Sequence, residues 1–144
     1  DAVENVAYSL LEYDGTDFEK ASVAAQKAKE IFLNFVDEKY AKEIILKAID
    51  LKLKYNAPMQ AIDLYNSYIS LYPNNKECPA YVDSIIAIYK RYPSRTRKSR
   101  DAKQLIEQQL VRLVENYSPA SGWYQKNKDK NIIAELQIIK NAYE

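Results

Sequence analysis

The chain has 144 residues, of which 47% are hydrophobic and 28% are charged, and its formal net charge is +1. These values are typical of one globular domain, and the balanced charge gives no overall attraction to nucleic acid or membranes. The absence of histidine excludes histidine-based acid–base catalysis, two glycines are too few for a phosphate-binding loop, and one cysteine argues against a zinc site. The cysteine, Cys78, lacks a histidine to activate it, so we expect it to lie half-buried in a loop beside a helix start. We therefore expect no enzymatic reaction, cofactor or metal.

The first predicted hairpin comprises two helices within residues 2–36. Hydrophobic residues recur at helical spacing through residues 2–13, and Asp14-Gly15 ends that helix. Thr16 and Glu19 then form a capping box, in which two side chains satisfy free N–H groups at a helix start. We therefore expect the second helix to begin at Thr16.

The second predicted hairpin covers residues 38–73 and begins with a helix from about Lys39 to Tyr55. In the turn that follows, we expect Asn56 to cap the next helix and Pro58 to occupy its first turn. On the first helix, the predicted buried side is defined by hydrophobic residues at helical spacing, namely Ala41, Ile44, Ile45, Ala48, Ile49 and Leu51.

The second helix of this hairpin is the most informative segment of the chain. Ala61 is followed at helical spacing by Tyr65, Tyr68 and Ile69, and the helix ends at Tyr72-Pro73. A small residue lets a partner helix approach, aromatic side chains fill the seam, and the proline ends the helix. This combination is typical of the second helix of a tetratricopeptide-type hairpin.

The third predicted hairpin covers residues 79–118. Its first helix starts at Pro79 and ends near Tyr92, and its second helix runs from Asp101 to Tyr117. The polar segment between these two helices is expected to be a loop.

A final helix is expected within about residues 120–144. Its hydrophobic residues at helical spacing are Ile132, Ile133, Leu136, Ile139 and Tyr143. The second helices of the three hairpins end at Val36, Pro73 and Ser118, which are 37 and 45 residues apart, whereas regular tetratricopeptide arrays repeat about every 34 residues. Because each hairpin needs a neighbour to bury its hydrophobic side, we expect a single domain over residues 1–144. The predicted fold is all-α, a right-handed superhelical stack of about three hairpins plus a final helix, resembling a tetratricopeptide solenoid.

The helix over residues 39–55 provides the first candidate binding surface. In stacked hairpins the first helices line the concave side, so polar residues that point away from the buried side face a partner. These residues are Glu43, Lys47, Asp50 and Lys54. Exposed tyrosines are expected to add anchors, at Tyr8, Tyr13, Tyr40 or Tyr55. The alternative for each residue is solvated surface or packing between helices.

The second candidate surface is a basic segment. Residues 90–103 carry seven Lys or Arg side chains against Asp101 alone, whereas residues 1–19 carry six acidic side chains and no basic one. The candidates for partner binding within the basic segment are Arg95, Arg97, Lys98 and Arg100. The segment is either a solvated loop, a docking site for an acidic protein, or a contact for anionic lipid or nucleic acid.

Four segments, taken in order along the sequence, resemble those of a known family. They are Phe35-Val-Asp-Glu-Lys-Tyr40-Ala41, Ala61-Ile-Asp through Tyr68-Ile-Ser-Leu-Tyr72-Pro73, Ala80-Tyr81-Val82, and Arg100-Asp101-Ala102 through Leu113-Val114-Glu-Asn-Tyr117-Ser118. With these segments, most of residues 2–120 resembles the BamD (YfiO/ComL) family of outer-membrane assembly lipoproteins. Val36 stands where that family usually has proline.

The resemblance implies a non-catalytic, periplasmic scaffold of the outer-membrane β-barrel assembly machinery. Its partners would be the core assembly subunit, other assembly lipoproteins and unfolded outer-membrane proteins, which it would capture as extended segments in a groove. The first two hairpins would face the substrate, and the basic loop would lie toward the core subunit. No nucleic acid is implied, and the membrane contact would be a lipid anchor that is not in this sequence. The alternative is another tetratricopeptide adaptor of the cell envelope or of chaperone type; an enzyme or a nucleic-acid binder ranks third.

Overall fold

The computed structural model describes residues 37–92 and 99–143, and every structural statement below concerns these residues. They form six helices and no β-strand, which confirms the all-α prediction. In chain order the helices are α1 (Glu38–Lys54), α2 (Pro58–Leu71), α3 (Cys78–Arg91), α4 (Ser99–Tyr117), α5 (Gly122–Asn127) and α6 (Ile133–Tyr143). The hairpin predicted for residues 2–36 lies outside the described residues.

Two compact units divide the chain, Asp1–Leu71 and Tyr72–Glu144. In the described part of the first unit, α1 and α2 pack against each other across a three-residue turn. Both ends of α1 lie one residue before the predicted ends, and α2 stops just before the predicted Tyr72-Pro73 end. The helix pair predicted for residues 38–73 is therefore present.

Asn56 ends α1 rather than capping α2, which corrects the prediction from sequence. Its φ of 64° lies in the left-handed region, which asparagine tolerates better than most residues. Its N–H donates to the Leu53 carbonyl at 3.1 Å, and the Ala57 N–H donates to the Lys52 carbonyl at 2.8 Å. This pair of bonds is the Schellman motif, which satisfies the last carbonyls of a helix. Pro58 begins α2, as predicted.

The buried side of the α1–α2 pair follows the predicted pattern except at one position. On α2, Ala61 has no exposed surface and Tyr68 is 2% exposed, as close approach at a small residue requires. On α1, Leu51 is half-buried, and Lys52 takes the buried place with 2% of its surface exposed. Lys52 lies four residues after buried Ala48, so helical geometry brings it to the same side despite its charge.

In the second unit, α3 and α4 pack against each other, α6 packs against both, and α5 contacts α4. The helix pair predicted for residues 79–118 is therefore present, and α3 begins at Cys78, one residue before the predicted start. Helix α4 begins at Ser99, two residues before the predicted start. Arg100 is consequently helical, which corrects its predicted place in a loop.

The region predicted as one final helix contains two. Helix α5 begins after Ser121, whose side chain accepts a hydrogen bond from the Tyr124 N–H at 3.1 Å and so caps the helix. A turn follows, and α6 begins at Ile133. The capping role of Ser121 was not predicted, because the six residues of α5 are too few to show a helical period.

The hydrophobic side predicted for α6 is only partly buried. Ile132 and Ile139 are buried, but Ile133 is 78%, Leu136 37% and Tyr143 62% exposed. Successive helical residues are about 100° apart, so neighbouring Ile132 and Ile133 cannot both face the core. The exposed residues share one side of the helix with Lys140. We call Ile133, Leu136, Lys140 and Tyr143 the α6 stripe.

Side chains of α5 hold the turn that precedes α3. Trp123, 4% exposed, donates its ring N–H to the Asn75 carbonyl at 2.7 Å. Fully buried Asn127 donates from Nδ2 to the Asn74 carbonyl at 2.9 Å and to the Trp123 carbonyl at 2.8 Å. The Tyr117 ring packs edge-on against Trp123, with centroids 5.3 Å apart. We call Trp123 and Asn127 the α5 clamp; it joins segments that are 48 and 53 residues apart in sequence.

Candidate protein-binding surface

The exposed side of α1 belongs to a helix that is capped at its start. Asp37 precedes the helix in an extended conformation, and its side chain accepts a hydrogen bond from the Tyr40 N–H at 3.0 Å. Glu38 in the first turn, and Lys52 and Lys54 in the last, have the charges that the helix dipole favours. Together with the Schellman motif, these features fix both ends of α1 and the side chains between them.

Five residues proposed from sequence lie in one line along α1. Their spacing alternates between three and four residues, which places side chains on the same side of a helix. The residues are Tyr40, Glu43, Lys47, Asp50 and Lys54. The buried residues of α1 occupy the opposite side. We call these five residues the α1 stripe; their role in partner binding stays a prediction.

An exposed tyrosine begins the α1 stripe, and another exposed tyrosine follows the end of the helix. Tyr40 is 52% exposed at the N-terminal end, and Tyr55, one residue beyond the helix, is 65% exposed. Lys47 at the centre is half-buried, whereas the other stripe residues are exposed. An exposed tyrosine offers both apolar area and a hydroxyl group, and it loses little conformational entropy when it is bound.

The charges of the α1 stripe alternate and cancel. Glu43 and Asp50 are each followed four residues later by a lysine, so the four charged groups sum to zero. From Tyr40 to Lys54 the stripe is about 21 Å long at the helical rise of 1.5 Å per residue. Such a surface selects a partner by apolar contact and hydrogen bonding more than by net charge.

A shallow cleft of about 300 Å³ opens beside the C-terminal end of α1. Among the described residues it is lined by Lys52, Tyr55, Ala57 and Gln60. The sequence analysis proposed Tyr55 but missed the other three residues. Two signals point to them: the helical spacing from Ala48 to Lys52, and Pro58 at the start of α2, which puts Gln60 in the first turn.

The basic segment begins in α3 and continues into α4. Arg95, Arg97 and Lys98 lie outside the described residues, and Arg100 lies in the first turn of α4. At the end of α3 the Arg91 guanidinium lies 5.3 Å from the centroid of the Tyr92 ring, within the range of a cation–π interaction. Arg100 belongs to the second unit and the α1 stripe to the first, so each candidate surface is described by itself.

Cys78 is buried, which corrects the prediction of a half-buried loop residue. It is the first residue of α3, has no exposed surface, and its Sγ donates to the Tyr72 carbonyl at 3.3 Å. Burial raises the pKa of Tyr117 to about 12; the neighbouring Cys78 adds to the rise and Arg112 opposes it. A thiol shielded from solvent beside a protonated phenol stabilises the core and offers no accessible nucleophile.

Other kinds of site were sought in the same residues. Within 37–92 and 99–143, no three Cys, Asp or Glu side chains are grouped so that they would hold a metal ion. No helix in these ranges combines the length and hydrophobicity needed to cross a bilayer. No protein-family model, curated protein or solved structure matches the chain at a significant level.

Proposed function

We propose that this chain is a non-catalytic scaffold that binds protein segments, built as a tetratricopeptide-like stack of helical hairpins. The observation that carries the proposal is the α1 stripe, one exposed side of a capped helix that begins with exposed Tyr40; a second exposed tyrosine, Tyr55, lies one residue beyond the helix. The α1–α2 and α3–α4 pairs support the hairpin arrangement. So does α6, which packs on the second pair as the first helix of a further hairpin does in such arrays.

The ligand that suits the α1 stripe is an extended polypeptide segment. At about 3.3 Å per residue, roughly six extended residues match its length of about 21 Å. The Glu43 and Asp50 carboxylates can accept hydrogen bonds from N–H groups of such a segment, and the Lys54 ammonium group can donate to its C=O groups. Tyr40 and Tyr55 offer contact to its apolar side chains.

The resemblance to the BamD family extends the proposal to a place and to partners. The chain would work at the periplasmic face of the outer membrane, held by a lipid anchor. It would bind the core β-barrel assembly subunit, other assembly lipoproteins and unfolded outer-membrane proteins. The support for this extension is the set of ordered sequence segments between Phe35 and Ser118.

The direct test measures binding of a fluorescently labelled outer-membrane β-barrel protein, diluted from urea so that it is unfolded. We expect the chain to raise the fluorescence anisotropy of this probe. The double variant Tyr40→Ala/Tyr55→Ala is expected to weaken binding by about tenfold or more, because exposed aromatic anchors contribute most of the binding energy of such surfaces.

The matched control is Val111→Ala, which removes a hydrophobic side chain of similar exposure, 51%, from α4 and lies in neither stripe. It is expected to leave binding unchanged. Equal binding by the double variant and by the control would contradict the α1 surface. If an unfolded protein from outside the envelope bound as tightly as the barrel protein, a general adaptor would replace the outer-membrane assignment. Co-purification of the core assembly subunit from a bacterial envelope would support that assignment.

A further inference from the structure

We draw no further inference here: the strongest candidate, the α6 stripe on the exposed side of the last helix of the second unit, is an apolar face, and nothing in the described residues shows what covers it.

Discussion

In the α1–α2 hairpin the chain reverses on backbone hydrogen bonds between residues three to five positions apart, with Asn56 in the left-handed region. In the second unit, by contrast, the turn before α3 is held by the side chains of Trp123 and Asn127, 48 and 53 residues further along the chain. The turn between α1 and α2 requires only that α1 ends with its own backbone hydrogen bonds formed. The side-chain hydrogen bonds that hold the turn before α3 form only when α5 is packed in place. The stability that they contribute therefore depends on the tertiary structure.

The exposed surfaces of the two regions differ in polarity. The α1 stripe combines alternating charges with a tyrosine at its start, which permits solvation when no partner is bound. The α6 stripe has one lysine among three exposed hydrophobic residues. A mixed polar surface such as the α1 stripe suits reversible binding of varied segments. An apolar surface such as the α6 stripe is stabilised most by a permanent partner.

The largest expected effect is that of removing the aromatic member of the α5 clamp. Trp123→Ala loses a buried ring, its edge-on contact with Tyr117 and a hydrogen bond to Asn75. We expect the free energy of unfolding to fall by about 3 to 5 kcal/mol. Urea unfolding followed by circular dichroism measures it, with exposed Tyr143→Ala as the control that changes it by less than about 0.5 kcal/mol. Similar losses in both variants would show that the clamp does not hold the second unit.

The amide member of the clamp is expected to contribute less. Asn127→Ala removes two hydrogen bonds that a fully buried amide group donates, and should lower the free energy of unfolding by about 2 kcal/mol. Gln125→Ala is the matched control, because it removes one bond from an exposed amide to the Pro119 carbonyl, at 3.0 Å. We expect the control to change the free energy by less than about 0.5 kcal/mol. The comparison fails if the two variants unfold at the same urea concentration.

Tyr117 gives the second unit a dependence on alkaline pH. The folded chain keeps this phenol protonated up to about pH 12, whereas the ordinary tyrosine value is 10.0. Above about pH 10 the unfolded chain therefore releases this proton first, so the stability contributed by Tyr117 is complete below that pH and is lost as the pH rises toward 12. By about pH 11 the loss amounts to about 1.4 kcal/mol.

The measurement compares urea unfolding of the parent chain and of Tyr117→Phe at about pH 9 and about pH 11. Phenylalanine does not ionise, so the variant should lose less stability than the parent over this interval. An equal loss in both proteins would mean that the environment of Tyr117 does not hold its proton.

The smallest expected effect tests the first unit. Asn56→Ala places a Cβ-bearing residue without a hydrogen-bonding side chain at a φ of 64° and should cost about 1 kcal/mol. Asn56→Gly tolerates the same backbone conformation and should stay within about 0.5 kcal/mol of the parent chain. Thermal or urea unfolding measures both. If alanine and glycine were equivalent at this position, the Schellman motif would not be what ends α1.

Local sequence signals predicted most of the helices. They failed where contacts between residues far apart in the sequence determine the structure. Pro58, Pro79 and Pro73 lie at or within two residues of a helix start or end, because proline acts through its own backbone. Asn56 was assigned to the wrong helix because asparagine suits both a helix start and the left-handed position after a helix end. Helix α5 was missed, since its position is fixed by bonds to a turn far away in the sequence.

The candidate binding surface likewise has a part that the sequence predicts and a part that it does not. The alignment of the α1 stripe follows from the helical period alone, so the sequence was sufficient to predict it. The cleft was only partly predictable: helical spacing and Pro58 place Lys52 and Gln60 near the turn, but the burial of charged Lys52 is decided by what packs around it. For α6, two adjacent isoleucines offered two possible buried sides, and the packing against α3 and α4 chose the side that leaves Ile133 exposed.

Because Cys78 is buried, its reaction with a thiol reagent reports local unfolding at the start of α3. Cys78 is the one thiol in the sequence, it has no exposed surface, and it lies at the first residue of α3. An alkylating reagent therefore reacts only with molecules in which the start of α3 has opened, and the labelling rate measures how often that happens. Because no second sulfhydryl competes, the rate reads directly as the opening equilibrium of this segment, without an engineered probe.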